Sequence, residues 1–199
     1  MITKVQLTQD LKCPRGPVES HYPSLIQAME TYLIDTPDRV SAFLANVLHE
    51  TEMLKRFTEN LMYSEDRLLA IFPTRVTPTD ARLLARNPIL IANHVYANRY
   101  GNTEPGDGWK YRGRGMFQTT FKDNYEIISK ALGYDFVSDP DKLAGPPYAA
   151  KSAAYYWKTK GLNALADKGD LMGITRKING GTNGHDHRLE LYRTIKGML

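Results

Sequence analysis

Apolar side chains along this chain recur at helical spacing, and no sustained run alternates as a half-buried strand does. That pattern confines the chain to a mainly α architecture. The clearest segment opens at Thr36-Pro37-Asp38, where a capping hydroxyl, a first-turn proline and an acid near the positive end of the helix dipole coincide. From there Val40, Phe43, Leu44, Val47 and Leu48 form one apolar stripe at i, i+3, i+4, i+7 and i+8. Further helices are expected at about 18–33, 65–71, 78–86, 89–99, 119–132, 147–159, 170–178 and 185–197, punctuated by Asn87-Pro88, Gly133 and Gly161. The stretch GNTEPGDGWKYRGRG, with five glycines, one proline and two aromatics, reads instead as a structured loop in which Trp109 and Tyr111 offer area for stacking.

At 199 residues the chain suits one main domain with at most a small added lobe, and no linker divides it, so a single catalytic unit over residues 1–199 is expected. Apolar residues at 42% and charged residues at 24% exclude a disordered or fibrous chain. Cys13 has no second cysteine to pair with, which fits synthesis in a reducing compartment. The opening MITKVQLTQDLKCPRG lacks the apolar run of a signal peptide, and no stretch reaches a membrane span, so neither self-export nor stable membrane insertion is expected. Residues 1–100 hold 11 basic and 11 acidic side chains, whereas residues 101–199 hold 15 and 11. This mild excess favours an anionic partner such as nucleic acid or a cell-wall polymer bearing carboxylates, and equally describes a solvated face.

Seven residues beyond Phe43, Glu50 falls in line with the apolar stripe, while Glu52 on a continuing helix would point away. A poorly solvated carboxyl can keep a proton near neutral pH, as a general acid must, although a buried Glu paired with an arginine fits the same position. A glycosidase needs a second carboxylate, and Glu59 is the candidate. Nine residues on one continuous helix would set the two on opposite sides, so a break is expected near Leu54 to Asn60. The rival, Glu65, directly follows Ser64 and suits a first-turn helix acid.

The run AFLANVLHETEML, the segment ENLMYS, the block GDGWKYRGRGMFQTTFKDNY and the run KINGGTNGHDHRLELY stand in the order and approximate spacing of family 19 glycoside hydrolases, the chitinases and their related phage endolysins. The chain resembles that family over roughly residues 35–195, most specifically in Gly106–Tyr125. The resemblance implies a lysozyme-like bilobal helical fold with a cleft between the helix ending near Glu50 and the 106–125 block. It further implies Glu50 as general acid, Glu59 as the base of the short endolysin branch, and Thr120 as the hydroxyl that holds the attacking water. Gln118, Asn124 and Asn179 match sugar-contacting positions, Tyr111 the aromatic position of the block, and Arg188 the arginine that orders the acidic site. Met116-Phe117 departs from the usual small or aliphatic pair, and Thr51-Glu52-Met53 lacks the Gly-rich run that often follows the His-Glu pair. The disulfides of plant members are absent.

Amides, hydroxyls and aromatic faces are what sugar rings require, because each ring has polar edges and apolar faces. As a purely structural alternative, Thr119 or Thr120 could cap the following helix. His185-Asp186-His187 has no third ligand signal and no H-E-x-x-H around it, so no metal is expected. Arg112 and Arg114 fit neither a P-loop nor a nucleic-acid motif and suit a basic rim beside a wall-binding site. The expected activity is cofactor-independent, inverting hydrolysis of β-1,4 bonds in peptidoglycan glycan strands. The resemblance adds an endolysin that accumulates in the host cytoplasm and reaches the wall through a separate membrane lesion. The alternatives are a chitinase acting on chitin oligomers and a non-catalytic glycan-binding phage module.

Overall fold

The computed structural model describes residues 1–199. Its helices are α1 (Arg15–Thr31), α2 (Pro37–Glu50), α3 (Glu65–Ile71), α4 (Pro78–Leu84), α5 (Pro88–Val95), α6 (Asp107–Lys110), α7 (Lys122–Leu132), α8 (Tyr148–Thr159), α9 (Leu162–Asp167), α10 (Leu171–Asn179) and α11 (His185–Met198). A π turn covers Gln6–Asp10 and a 3-10 turn Pro140–Ala144. Strand pairing is limited to three isolated antiparallel bridges, Thr58 with Arg114, Arg99 with Asn102, and Arg114 with Thr119. No helix is long and apolar enough to cross a membrane.

Every helix expected from periodicity is present. α6 and α9 were not expected, because four and six residues are too few to display a stripe. The end of α5 comes before residue 99, since Asn98 and Tyr100 adopt left-handed conformations. α7 begins at Lys122 rather than 119, because Gln118 and Phe121 also have positive φ. Phe121 occupies the N-cap position without a side-chain bond, so neither Thr119 nor Thr120 caps this helix.

The chain packs as two compact units, one formed by Met1–Phe57, Gly115–Phe117 and Lys142–Leu199, the other by Thr58–Arg114 and Gln118–Asp141. In the first, α2 starts as its sequence dictates: the Thr36 side chain accepts from Arg39 N, Pro37 opens the first turn and Asp38 follows. The helix is buried on all sides from Val40 to Leu48, not along one stripe alone. The intervening residues are small or locally satisfied, with Ser41 donating to Pro37 O at 2.6 Å and Asn46 Nδ2 to Ala42 O at 2.7 Å. Phe43 packs edge-on against Trp157 of α8 and Phe117, with ring centroids 5.3 and 5.7 Å away. Along α2 lies α11, joined to its first turn where Asp38 accepts from Lys196 Nζ at 2.6 Å and from the Tyr192 hydroxyl.

The second unit buries Leu61, Leu68, Val76, Ala81, Leu84, Ile91, Ala92 and Val95 among short helices. Such helices need their caps. Ser64 caps α3, Thr77 and Asp80 form a reciprocal capping box on α4, and Asn87 caps α5. Tyr111, Tyr125, Ile128 and Phe136 bury a second apolar group. Beside them Arg114, 1% exposed, is held by Asp141 at 2.6 and 2.9 Å, by the Tyr125 hydroxyl at 2.8 Å and by the Lys110 and Arg112 carbonyls.

Because Phe43 touches aromatic partners from two other segments, Phe43→Ala should lower unfolding free energy by roughly 3–5 kcal/mol in urea titration, with little change in denaturant slope. A loss under about 1 kcal/mol would mean that α2 is not the centre of this core.

Candidate active site

Glu50 is the last residue of α2. The chain leaves the helix at once: the Thr51 hydroxyl donates to Val47 O at 2.7 Å and accepts from Leu54 N at 2.9 Å. Glu52, Met53 and Leu54 then follow with φ of 50°, 62° and 60°. The break therefore falls earlier than the expected Leu54–Asn60, and Glu52 is separated from Glu50 by a turn, not by helical rotation. Glu52 lies in solvent, 58% exposed, and pairs with Arg56 at 3.3 Å. Left-handed backbone in non-glycine residues costs on the order of 1 kcal/mol or more each, so this turn is strained.

The Glu50 side chain, 22% exposed, meets Arg188 Nη2 at 2.5 Å. Arg188, 4% exposed, also donates through Nη1 to Asn46 Oδ1 at 2.6 Å. The arginine partner left open by periodicity is present, and it is the residue expected to order this acid. Asn46 was missed, although its place four residues before Glu50 put it on the same helix face. His49, just before Glu50, sets its Nδ1 2.8 Å from His187 Nδ1. Asn179, expected to contact sugar, ends α10 in an exposed position of the same unit.

In the other unit Glu59 is half-buried and held at both oxygens. Gly113 N donates to Oε1 at 2.6 Å, the Tyr96 hydroxyl donates to Oε2 at 2.8 Å, and Glu59 N donates to Gly113 O at 3.0 Å. Burial pushes the Glu59 carboxyl above the usual carboxylate range, opposed by the bonds from Gly113 and Tyr96 and by the charges of Arg112 and Arg114. Tyr96 lies 37 residues away with no local signal to connect it.

Gly113 is where the expected residues of this unit converge. A Cβ there would sit 2.8 Å from Gln118 Oε1 and 3.2 Å from Thr120 Oγ1, so both side chains occupy the space that glycine leaves. Thr120 donates to Gln118 O at 2.9 Å, and Asn124, exposed on α7, donates to Thr120 O at 2.7 Å. Glu59, Gln118, Thr120 and Asn124 are thus brought together. Glu65 sits in the exposed first turn of α3 behind its Ser64 cap.

Tyr111 departs from the expectation of a sugar platform. It is 1% exposed, its hydroxyl donates to Val137 O at 3.2 Å and its ring lies 5.4 Å from that of Tyr125. The loop folds inward because four residues of α6 turn the aromatic into the core. Trp109 is only partly buried and carries the Arg112 guanidinium 3.8 Å from its ring centroid.

The family model described as chitinase class I matches residues 91–173. A glycosyl hydrolase family 19 domain-containing protein of Haemophilus influenzae is 44% identical over 160 residues, covering 77% of this chain and 76% of that protein. The chain belongs to glycoside hydrolase family 19. Rice chitinase 4 (Oryza sativa subsp. japonica) is 34% identical over 117 residues, 57% of this chain and 40% of its own length. Among solved structures, a bacterial family 19 chitinase matches with a TM-score of 0.63 at 23% identity, covering 99% of this chain and 94% of that one. Chitinase C from Streptomyces griseus gives 0.61 at 21% identity, covering 98% and 76%. This family 19 chain therefore has the mainly α, lysozyme-like fold of those chitinases and is a chitinase-like glycoside hydrolase.

The folded state binds the Glu59 proton more tightly than the unfolded chain does, so ionising Glu59 destabilises the fold. That loss begins above the ordinary value of 4.5 and is complete above the raised folded value. Relative to wild type, Glu59→Gln should gain stability as pH rises through this window and hold the gain at neutral pH. Thermal melts of both proteins from pH 3 to 8 check this; a difference that does not vary with pH would contradict the account of Glu59.

Proposed function

We propose that this family 19 chain is an endolysin-type glycosidase that hydrolyses the β-1,4 bonds of peptidoglycan by inversion, with Glu50 as general acid and Glu59 as general base. The observation that carries the reading is the convergence of Glu59, Thr120 and Gln118 on Gly113. A base acting on water must be a strong proton acceptor and still ionise at working pH. Burial supplies the first condition for Glu59, while Gly113 N–H, the Tyr96 hydroxyl and two arginines support the second. Thr120 is the hydroxyl that steadies the water, and Gln118, Asn124 and Asn179 bind sugar. Arg188 holds Glu50, which protonates the leaving oxygen.

Peptidoglycan as substrate is supported by the nine-residue spacing of the two acids, which resembles the short endolysin branch, and by the basic excess of the second half of the chain. The bacterial relative is also matched over about three quarters of its length, against 40% for rice chitinase 4. Phage origin, and delivery to the wall from the host cytoplasm, belong to the same proposal and rest on the resemblance. A second reading, hydrolysis of chitin oligomers, is favoured by the chitinase family match and by the chitinase structures that share the fold.

Glu50→Gln should lower hydrolysis of purified peptidoglycan by about 10²–10⁴-fold, whereas Glu52→Gln, in solvent beside Arg56, should leave most of it. Both variants are to be shown folded by thermal melting. Mass spectrometry of reduced products should find muramic acid at the reducing end. Cleavage of chitin hexasaccharide with no release from peptidoglycan would favour the second reading, and near-normal activity of folded Glu50→Gln would remove the acid assignment.

A further inference from the structure

α2 and α11 meet through two consecutive side-chain pairs: Glu50 with Arg188, and the residues just before them, His49 with His187. The imidazoles do not stack, their planes being tilted by 52° with centroids 5.1 Å apart, so the contact runs through the two Nδ1 atoms at 2.8 Å. Gly184, with φ of +74°, makes room for His49; a Cβ there would lie 2.4 Å from His49 Cε1 and Nε2. This site is built around His49, and His187 is none of the residues assigned to acid, base, water or sugar.

Two nitrogens at this separation require one proton between them. Two bare lone pairs repel, and two N–H groups cannot face each other. The pair therefore holds one Nδ1 proton and one Nδ1 lone pair. The charged group that acts on His49 is Arg188 of α11, itself bonded to Glu50 of α2, and Tyr156 of α8 lies within the field of Glu50. His185 is bonded to Thr175 of α10 instead. Burial first, then Arg188 and His187, push the His49 imidazole down to about 4, so His49 is neutral around pH 7.

We propose that His187 is a positioning residue for the general acid: by sharing one proton with His49 it fixes that ring's tautomer and seats the last turn of α2, and with it Glu50, against Arg188. The inference rests on the reading of Glu50 as the acid. The disrupting variant is His187→Leu, and His187→Asn is the conservative one, since its amide can still exchange a hydrogen bond with His49.

Long-range ¹H–¹⁵N spectra of the wild-type protein near pH 7 should show complementary Nδ1 states, one ring protonated there and the other not. Kinetics run in parallel on sonicated peptidoglycan and on chitin hexasaccharide keep the test independent of which glycan is cleaved. His187→Leu should lower kcat by about tenfold or more with KM within about twofold, as displacement of a reacting group does. His187→Asn should recover most of kcat. Matching Nδ1 states in the two rings, or an unchanged kcat in His187→Leu while Glu50→Gln is inactive, would overturn the proposal. A fully active Glu50→Gln would overturn the acid assignment itself, and the positioning role with it, independently of the spectra.

Discussion

A buried guanidinium must find a carboxylate, and in this protein that requirement shapes the end of α2. Arg188 is almost wholly enclosed and divides its donors between Asn46 and Glu50. Leaving such a charge without its partner typically costs roughly 3–5 kcal/mol, so Glu50 contributes to the stability of α11 on α2. Past Glu50 the chain turns sharply, bonded through the Thr51 hydroxyl, and accepts three successive left-handed residues to do so. The same contact holds α11 on α2 and sets the position of the Glu50 side chain.

The two carboxylates sit in different surroundings. Glu50 faces a full positive charge and a partly open exposure. Glu59 is half-buried, and there burial strengthens its hold on a proton while neutral donors on both oxygens compensate in part. Gly113 is the element that makes this second environment possible. Any side chain there would displace Gln118 or Thr120, and its N–H is the shortest bond that Glu59 receives. The glycine is required by close approach rather than by its backbone angles.

Much of this was legible in the sequence where local rules decide. Thr36-Pro37-Asp38 starts α2 as read, Glu50 follows Phe43 toward the interior, and Ser64 leaves Glu65 a first-turn acid. Local rules fail where the chain returns on itself. Helical rotation was the wrong reason for separating Glu52 from Glu50, since the helix has already ended. Tyr111 reads as an exposed platform in a Gly-rich loop, yet the single turn of α6 sends it inward onto Tyr125. Tyr96, His187 and Gly113 acquire their places through partners 37, 138 and 54 residues away, distances at which periodicity carries no information.

The division of labour we propose has Glu59 taking the proton of the attacking water and Glu50 giving one to the departing sugar. Azide can replace a water that has lost its base, and it cannot replace a missing proton donor. Product analysis by NMR after adding azide to folded Glu59→Ala and Glu50→Ala tests this directly, on the glycan the wild-type protein cleaves. Turnover restored in Glu59→Ala alone, with an α-glycosyl azide from the β-linked substrate, is the predicted result. Azide rescue of Glu50→Ala instead, or a product with retained β configuration, would contradict it.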